Sequence, residues 1–128
     1  TMAGHPWDWI MIKRVMFLSA AVFTMAACST MADLRHDRPD LELSTHKTPD
    51  DYGMCLSTAW GSTSINNLQE GWLPDKKGYN VSLLGGMGAD AVMDAEPQSD
   101  GSTKITIWYR SKAFGYGARE TKRAKACL

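Results

Sequence analysis

Histidine is missing from the C-terminal part of this sequence, about two thirds of the chain. The chain has three histidines in 128 residues, His5, His36 and His46, and none lies between Thr48 and Leu128. A Ser-His-Asp or Cys-His catalytic arrangement is therefore excluded within that segment, and so is metal ligation by histidine there. We predict no catalytic residue, no metal site and no cofactor.

The N-terminal apolar run is too short to cross a bilayer. It covers the 13 residues from Val15 to Ala27 and follows the basic pair Lys13 and Arg14, whereas a helical span needs about 20 residues. A basic pair, a short apolar run and small residues before a cleavage point indicate a secretory signal peptide. We predict this signal peptide over residues 1–27, with the true start at Met11.

The end of the apolar run carries a recognisable motif. Met25-Ala26-Ala27-Cys28 resembles the lipobox of small Gram-negative bacterial lipoproteins. The resemblance implies that the precursor is cleaved before Cys28 and that Cys28 is lipidated. It also implies retention at the outer membrane, facing the periplasm, because Ser29 stands where an Asp commonly signals inner-membrane retention. The membrane is then a partner through the N-terminal lipid.

Cysteine is scarce, and its count is informative. With Cys28 assigned to the lipobox, Cys55 and Cys127 remain as an even pair in an exported chain, where disulfides form and persist. We predict a Cys55–Cys127 disulfide; the alternative is two buried free thiols. Closing a loop of this length stabilises a small domain by about 4 kcal/mol in the chain-entropy model.

Charge is balanced in total but not along the chain. Residues 28–100 carry 5 Lys/Arg and 12 Asp/Glu, whereas residues 101–128 carry 7 Lys/Arg and one Glu. One interpretation is that the two segments pack together and neutralise each other. The other is a basic C-terminal face for anionic lipid, cell-wall polymer or nucleic acid. An export signal argues against nucleic acid, so we predict no nucleic-acid partner.

The segment after the lipobox has no pattern that indicates a hydrophobic core. Residues 28–47 mix charges without an apolar period, which is typical of a flexible tether, although the alternation at Leu41–Ser44 admits a short edge strand. A single globular domain is predicted over residues 48–128. The ambiguous, polar segment 62–77 is expected to be a short strand or loop, with Trp72 as a packing residue.

Local patterns predict two helices and three strands in that domain. Thr48 as N-cap and Pro49 at the first helical position begin a helix that ends near Gly61, and a basic helix is predicted over 118–126. Period-two alternation predicts strands near 79–84, 90–96 and 104–110, with short turns between them. We predict an α+β two-layer sandwich in which a three-stranded antiparallel meander packs against both helices, in the order α-β-β-β-α.

Three residues form a candidate binding patch. Trp108 lies on the polar phase of its strand, so either the 62–77 segment covers it or it forms an exposed aromatic and basic patch with Arg110 and Tyr116. The leading hypothesis is a non-enzymatic lipoprotein that binds a protein or an envelope component. A narrower version is an inhibitor or immunity protein for a secreted cell-wall hydrolase. The alternative is a small envelope hydrolase that uses Asp94 and Glu96.

Overall fold

The computed structural model describes residues 30–61, 67–110 and 117–128. These ranges contain three helices: α1 (Met31–His36), α2 (Pro49–Gly61) and α3 (Ala118–Ala126). They also contain five strands, which are β1 (Leu41–Thr45), β2 (Asn67–Trp72), β3 (Tyr79–Gly85), β4 (Gly88–Pro97) and β5 (Thr103–Tyr109). The strands form one sheet in the order β1-β5-β4-β3-β2, and every neighbouring pair is antiparallel.

The main core lies between one face of the sheet and the helices α2 and α3. Alternating residues of β3, β4 and β5, among them Val81, Met93 and Ile107, are fully buried against Tyr52 and Leu56 of α2. The alternation that predicted these strands arises because successive side chains of a strand point to opposite faces. The apolar phase of each central strand is thus the phase that faces α2 and α3.

The second face of the sheet is also covered, by α1. Leu34 of α1 packs with Ala89, Val92 and Trp108 in a smaller apolar cluster that is separate from the main core. Residues 92 and 108 belong to the opposite phase from Met93 and Ile107, so this cluster occupies the other face. Helices therefore lie on both faces of the sheet.

The predicted fold class is wrong about the number of strands in the sheet and the number of helices. The meander β3-β4-β5 exists, but it is the centre of a five-stranded sheet rather than a complete three-stranded one, and a third helix is present. Strand β2 was ambiguous because its residues, Asn-Leu-Gln-Glu-Gly-Trp, are mostly polar. An edge strand with few buried side chains carries little apolar alternation, so its sequence gives a weak signal.

Residues 31–45 do not form the flexible tether that their composition predicted. Thr30 caps α1: its hydroxyl accepts from the backbone N–H of Asp33, and the Asp33 carboxylate accepts from the N–H of Thr30. Hydrogen bonding of the Asp33 carboxylate by the backbone N–H of Thr30, and then by its side chain, lowers the pKa of that carboxyl below its ordinary value. Strand β1 pairs with β5, as the alternation at Leu41–Ser44 allowed. A short capped helix and an edge strand can order themselves on a preformed sheet without an apolar period of their own.

The predicted helices and the disulfide are confirmed. Cys55 of α2 is bonded to Cys127, which follows α3, across a sequence separation of 72 residues. Gly53 fixes how closely α2 approaches the sheet, because a Cβ at that position would overlap the ring of Tyr79. The bond and this close contact hold α2 and α3 as one layer on the main core.

Candidate binding cleft at the sheet edge

Trp108 does not present an exposed ring. Only 8% of the residue is accessible, and its indole N–H donates to the backbone carbonyl of Asp37 at 3.1 Å. Among the described residues the cover is α1 and the turn after it. The described part of the 62–77 segment, which the sequence suggested as the cover, begins with β2 at the edge of the sheet, with two strands between it and β5. A buried indole with a satisfied N–H is a packing residue, so Trp108 contributes to docking α1 on the sheet.

Arg110, the second residue of the predicted patch, does not join Trp108 in an exposed aromatic surface. Arg110 forms an ion pair with Asp90 in which the two atoms are 2.6 Å apart, and its backbone N–H donates to the carbonyl of the same residue. Tyr116 lies outside the described residues, as do Cys28 and the predicted signal peptide that precedes it.

A buried polar network surrounds Asp94 on the α1 face. Arg35 of α1 binds the carboxylate with two bonds of 2.7 Å, one from Nε and one from Nη2. The amide of Asn80 donates to the same carboxylate at 3.1 Å and to the carbonyl of Met93, while the Ser82 hydroxyl donates to the amide oxygen of Asn80. Bidentate Arg–carboxylate pairs are strong and directional, so this network fixes α1 in register on the sheet.

The two carboxylates of the hydrolase hypothesis have different environments. Asp94 is buried and bound by Arg35, whereas Glu96 is exposed at the end of β4, opposite Lys104 of β5. Lys104 itself forms an exposed ion pair with Glu42, at 3.8 Å. Asp94 and Glu96 therefore do not form an open pair of carboxylates on the strand face.

The two outer strands of the sheet differ in how well their edges are protected. Among the described residues, no strand pairs with the outer edge of β1 or of β2. The five-residue strand β1 is preceded by Pro39 and carries Glu42, which are common protections of a free edge. Strand β2 is longer and has Glu70 as its one charged residue. Its free backbone groups are thus the more accessible template for an added strand.

A cleft of about 270 Å³ opens between β2 and α1. Met31 and Arg35 of α1 form one side, and residues 69–74 form the other, with Asn80 contributing from β3. Trp72 also borders the cleft and is 54% exposed, but its ring lies on the α2 face of the sheet. It is paired with Tyr79 across the strands and contacts the Tyr79 ring edge-on, with the centroids 5.2 Å apart. The lining combines apolar side chains with amides, a mixture common in ligand and peptide sites, and the exposed Trp72 ring lies at the same strand edge on the other face of the sheet.

Local hydrogen bonds shape the rim of this cleft. The Asp75 carboxylate accepts from the backbone N–H groups of Lys77 and Gly78 at 2.9 and 3.0 Å, which lowers the pKa of that carboxyl. The turn is closed by a bond of 2.8 Å from the N–H of Leu73 to the carbonyl of Gly78. Across the strand, partial burial and the neighbouring Glu70 raise the pKa of the Tyr79 hydroxyl. The turn thereby fixes the chain next to Trp72.

Comparisons with protein-family models, with curated proteins and with solved structures gave no match. Within the described ranges, no group of His, Cys, Asp and Glu residues is arranged to hold a metal ion. None of the helices in those ranges is both long enough and apolar enough to span a membrane.

The exposure of Trp72 is the feature that sequence reasoning missed. A tryptophan in a polar segment was assigned to packing because this residue type is buried on average. Exposure here follows from the position of β2 at the end of the sheet, which is set by strand order and not by any local pattern.

Proposed function

We propose that this chain is an exported, lipid-anchored binding protein on the periplasmic side of the outer membrane, without enzymatic activity of its own. Its ligand is an extended segment of another envelope protein, which adds to the outer edge of β2. The observation that carries the proposal is the exposed Trp72 on an accessible edge strand, beside a cleft of about 270 Å³.

The anchor is supported by the sequence and by the cysteine chemistry. The leader and the resemblance of Met25–Cys28 to a lipobox are the sequence features that support export and lipidation. A disulfide between Cys55 and Cys127 suits an oxidising compartment. Both features favour the periplasmic side of a membrane over the cytosol.

The mode of binding is supported by the geometry of the edge. In strand addition, main-chain hydrogen bonds supply affinity, and pockets for alternate side chains supply specificity. The free edge of β2 offers the main-chain hydrogen bonds. Alternate side chains of an added strand would meet the cleft beside Gln69 and Arg35 on one face and the exposed ring of Trp72 on the other. An exposed tryptophan at such a site is the residue type most enriched among energetic hot spots.

Two substitutions test the edge in different ways. Trp72→Ala removes the aromatic anchor, and Gly71→Lys adds a charge to the edge at a position where a Cβ meets no atom within 4 Å. Each should weaken partner binding by about tenfold or more, as expected for loss of a hot spot or for a charge placed on a free edge. The measurement is the yield of the adduct formed in living cells by a photo-crosslinking residue that replaces exposed Gln69.

Each substitution has a matched control on the hairpin between β3 and β4. Met87→Ala removes another exposed apolar side chain, which is 67% accessible, and Gly86→Lys adds a lysine where a Cβ also meets nothing within 4 Å. Both controls should retain the adduct. An adduct that survives Trp72→Ala and Gly71→Lys unchanged would refute binding at this edge, and an unlipidated chain in the soluble fraction would refute the anchor.

A further inference from the structure

All charged side chains on the outward face of α3 are cationic. Arg119, Lys122 and Lys125 are exposed, and at 100° per residue they fall within one third of the helix circumference. The single acidic residue of α3, Glu120, is half-buried on the side toward the core, where its backbone carbonyl accepts from the indole of Trp60. The helix thus presents three positive charges and no negative charge to its surroundings.

These cations are not neutralised within the described part of the chain. The ion pairs found there involve Arg35, Lys104 and Arg110, and none involves Arg119, Lys122 or Lys125. The sequence left open whether the acidic first part of the chain would neutralise the basic end. The structure shows such a contact for Arg110 with Asp90, but not for the outward face of α3.

A depression lined mostly by polar residues lies beyond the C-terminal end of α3. This depression of about 420 Å³ is lined by residues 44–47 and Leu128. His46 is exposed in it, and the Lys47 ammonium donates to the carbonyl of Cys127 at 2.5 Å. A polymer that follows the row of cations along α3 would therefore meet further hydrogen-bond donors at its end.

The position of the anchor decides which way this surface faces. Cys28 precedes the helix cap Thr30 by two residues. Even in a fully extended chain, the Cα atoms of these two residues are at most about 7 Å apart. A lipid on Cys28 therefore holds the α1 side of the domain close to the membrane. Helix α3 lies on the opposite face of the sheet from α1, so its cations point away from the anchoring bilayer.

We propose that the outward face of α3 binds the carboxylate-bearing polymer of the cell wall. The proposal rests on the anchor at Cys28, and it adds a second surface to the one at β2. Between the anionic partners that the basic segment suggested, the geometry favours the wall, because a glycan with charged peptide branches lies on the side that faces away from the outer membrane. Attraction between a cationic face and such a polymer is long-ranged and weakens with salt.

The test is co-sedimentation of the purified lipoprotein, in detergent, with isolated peptidoglycan sacculi. The variant Arg119→Gln/Lys122→Gln/Lys125→Gln should bind about tenfold more weakly, and salt should weaken binding of the wild type. The control Lys76→Gln/Lys77→Gln/Lys104→Gln loses the same three charges from exposed positions elsewhere and should bind within about twofold of the wild type. Thermal unfolding of both variants verifies that the domain is intact.

A second arm separates the two sources of negative charge. Vesicles containing phosphatidylglycerol replace the sacculi, and binding through α3 should be weaker to them than to the wall polymer. Equal loss of sacculus binding in both triple variants, or stronger α3-dependent binding to vesicles, would overturn the proposal. Membrane fractionation of wild type and Cys28→Ala tests the anchor independently, so failure of the anchor and failure of the α3 surface give different results.

Discussion

Tyr52 places a polar hydroxyl group inside the main core. Its side chain is fully buried, and its hydroxyl donates to the carbonyl of Ala124 at 2.8 Å, joining α2 to α3. Burial, with a smaller contribution from Tyr109, raises the pKa of the Tyr52 hydroxyl far above its ordinary value. The residue thus adds a satisfied polar contact between the two helices, and that contact exists only while the hydroxyl keeps its proton.

Removing this hydroxyl should lower the free energy of unfolding at neutral pH. Tyr52→Phe leaves the Ala124 carbonyl buried without its donor, and we expect the free energy of unfolding to fall by about 1–3 kcal/mol. The matched change Tyr79→Phe removes a hydroxyl that bonds exposed Glu70 at 3.3 Å and should cost less than about 0.5 kcal/mol. Urea unfolding at pH 7 measures both, and equal losses would contradict the role of the Tyr52 bond.

The raised pKa of Tyr52 predicts how the stability of the domain changes at alkaline pH. The folded state holds the Tyr52 proton beyond the ordinary pKa of 10.0, whereas the unfolded chain releases it near that value. Its contribution to stability is therefore complete below pH 10 and is lost as the pH rises above it. Unfolding free energies measured from pH 8 upward should fall less steeply in Tyr52→Phe than in the wild type; parallel curves would argue against the shift.

At the scale of elements, α1 is the part whose placement depends most on polar contacts. Six residues are too few for a stable isolated helix, so α1 relies on the sheet beneath it. Leu34 and Trp108 supply the apolar contact, while Arg35 supplies the ion pair to buried Asp94. The element should therefore be able to open locally without unfolding the main core, since the two clusters lie on different faces.

Breaking the ion pair should release α1. Arg35→Met leaves the Asp94 carboxylate buried without its cation. Such a change destabilises the folded state by about 3–5 kcal/mol if the surrounding structure does not rearrange. We expect faster hydrogen exchange in residues 31–40 and near Trp108, with little change in β3 and β4. Arg38→Met, an exposed neighbouring arginine without an ion pair among the described residues, is the control.

A double variant shows whether the buried charge is responsible. Arg35→Met combined with Asp94→Leu removes both charges, and it should recover much of the protection because no uncompensated carboxylate remains. If the double variant opens as readily as Arg35→Met alone, the apolar contact of α1 and not the ion pair determines its docking.

Elements with a strong local signal were predictable, and those placed by the rest of the fold were not. The cap Thr48-Pro49 and the alternation of Ile105, Ile107 and Tyr109 depend on nearby residues alone. Strand β2 and helix α1 have weak patterns and are ordered by their neighbours. The candidate cleft was missed for the same reason, because it exists only where the edge of β2 meets α1.

At the scale of the whole molecule, the disulfide closes the layer that covers the main core. It joins α2, early in the domain, to the residue after α3, and the loop it closes contains all of β2 to β5. The separation of 72 residues makes the constraint on the unfolded chain large, and a domain of this size has little stability to spare. The bond should therefore account for a substantial part of the unfolding free energy.

Removing the bond should lower the free energy of unfolding by about 4 kcal/mol. The double substitution Cys55→Ala/Cys127→Ala is preferred to serine, because Cys127 is buried and a hydroxyl there would need a new partner. Cys28→Ala is the matched control, since it removes a cysteine outside the bond and should leave unfolding of the domain unchanged. A loss below about 1 kcal/mol for the double variant would show that the described helices and sheet hold the domain without the constraint, and then an oxidising compartment would no longer be needed for folding.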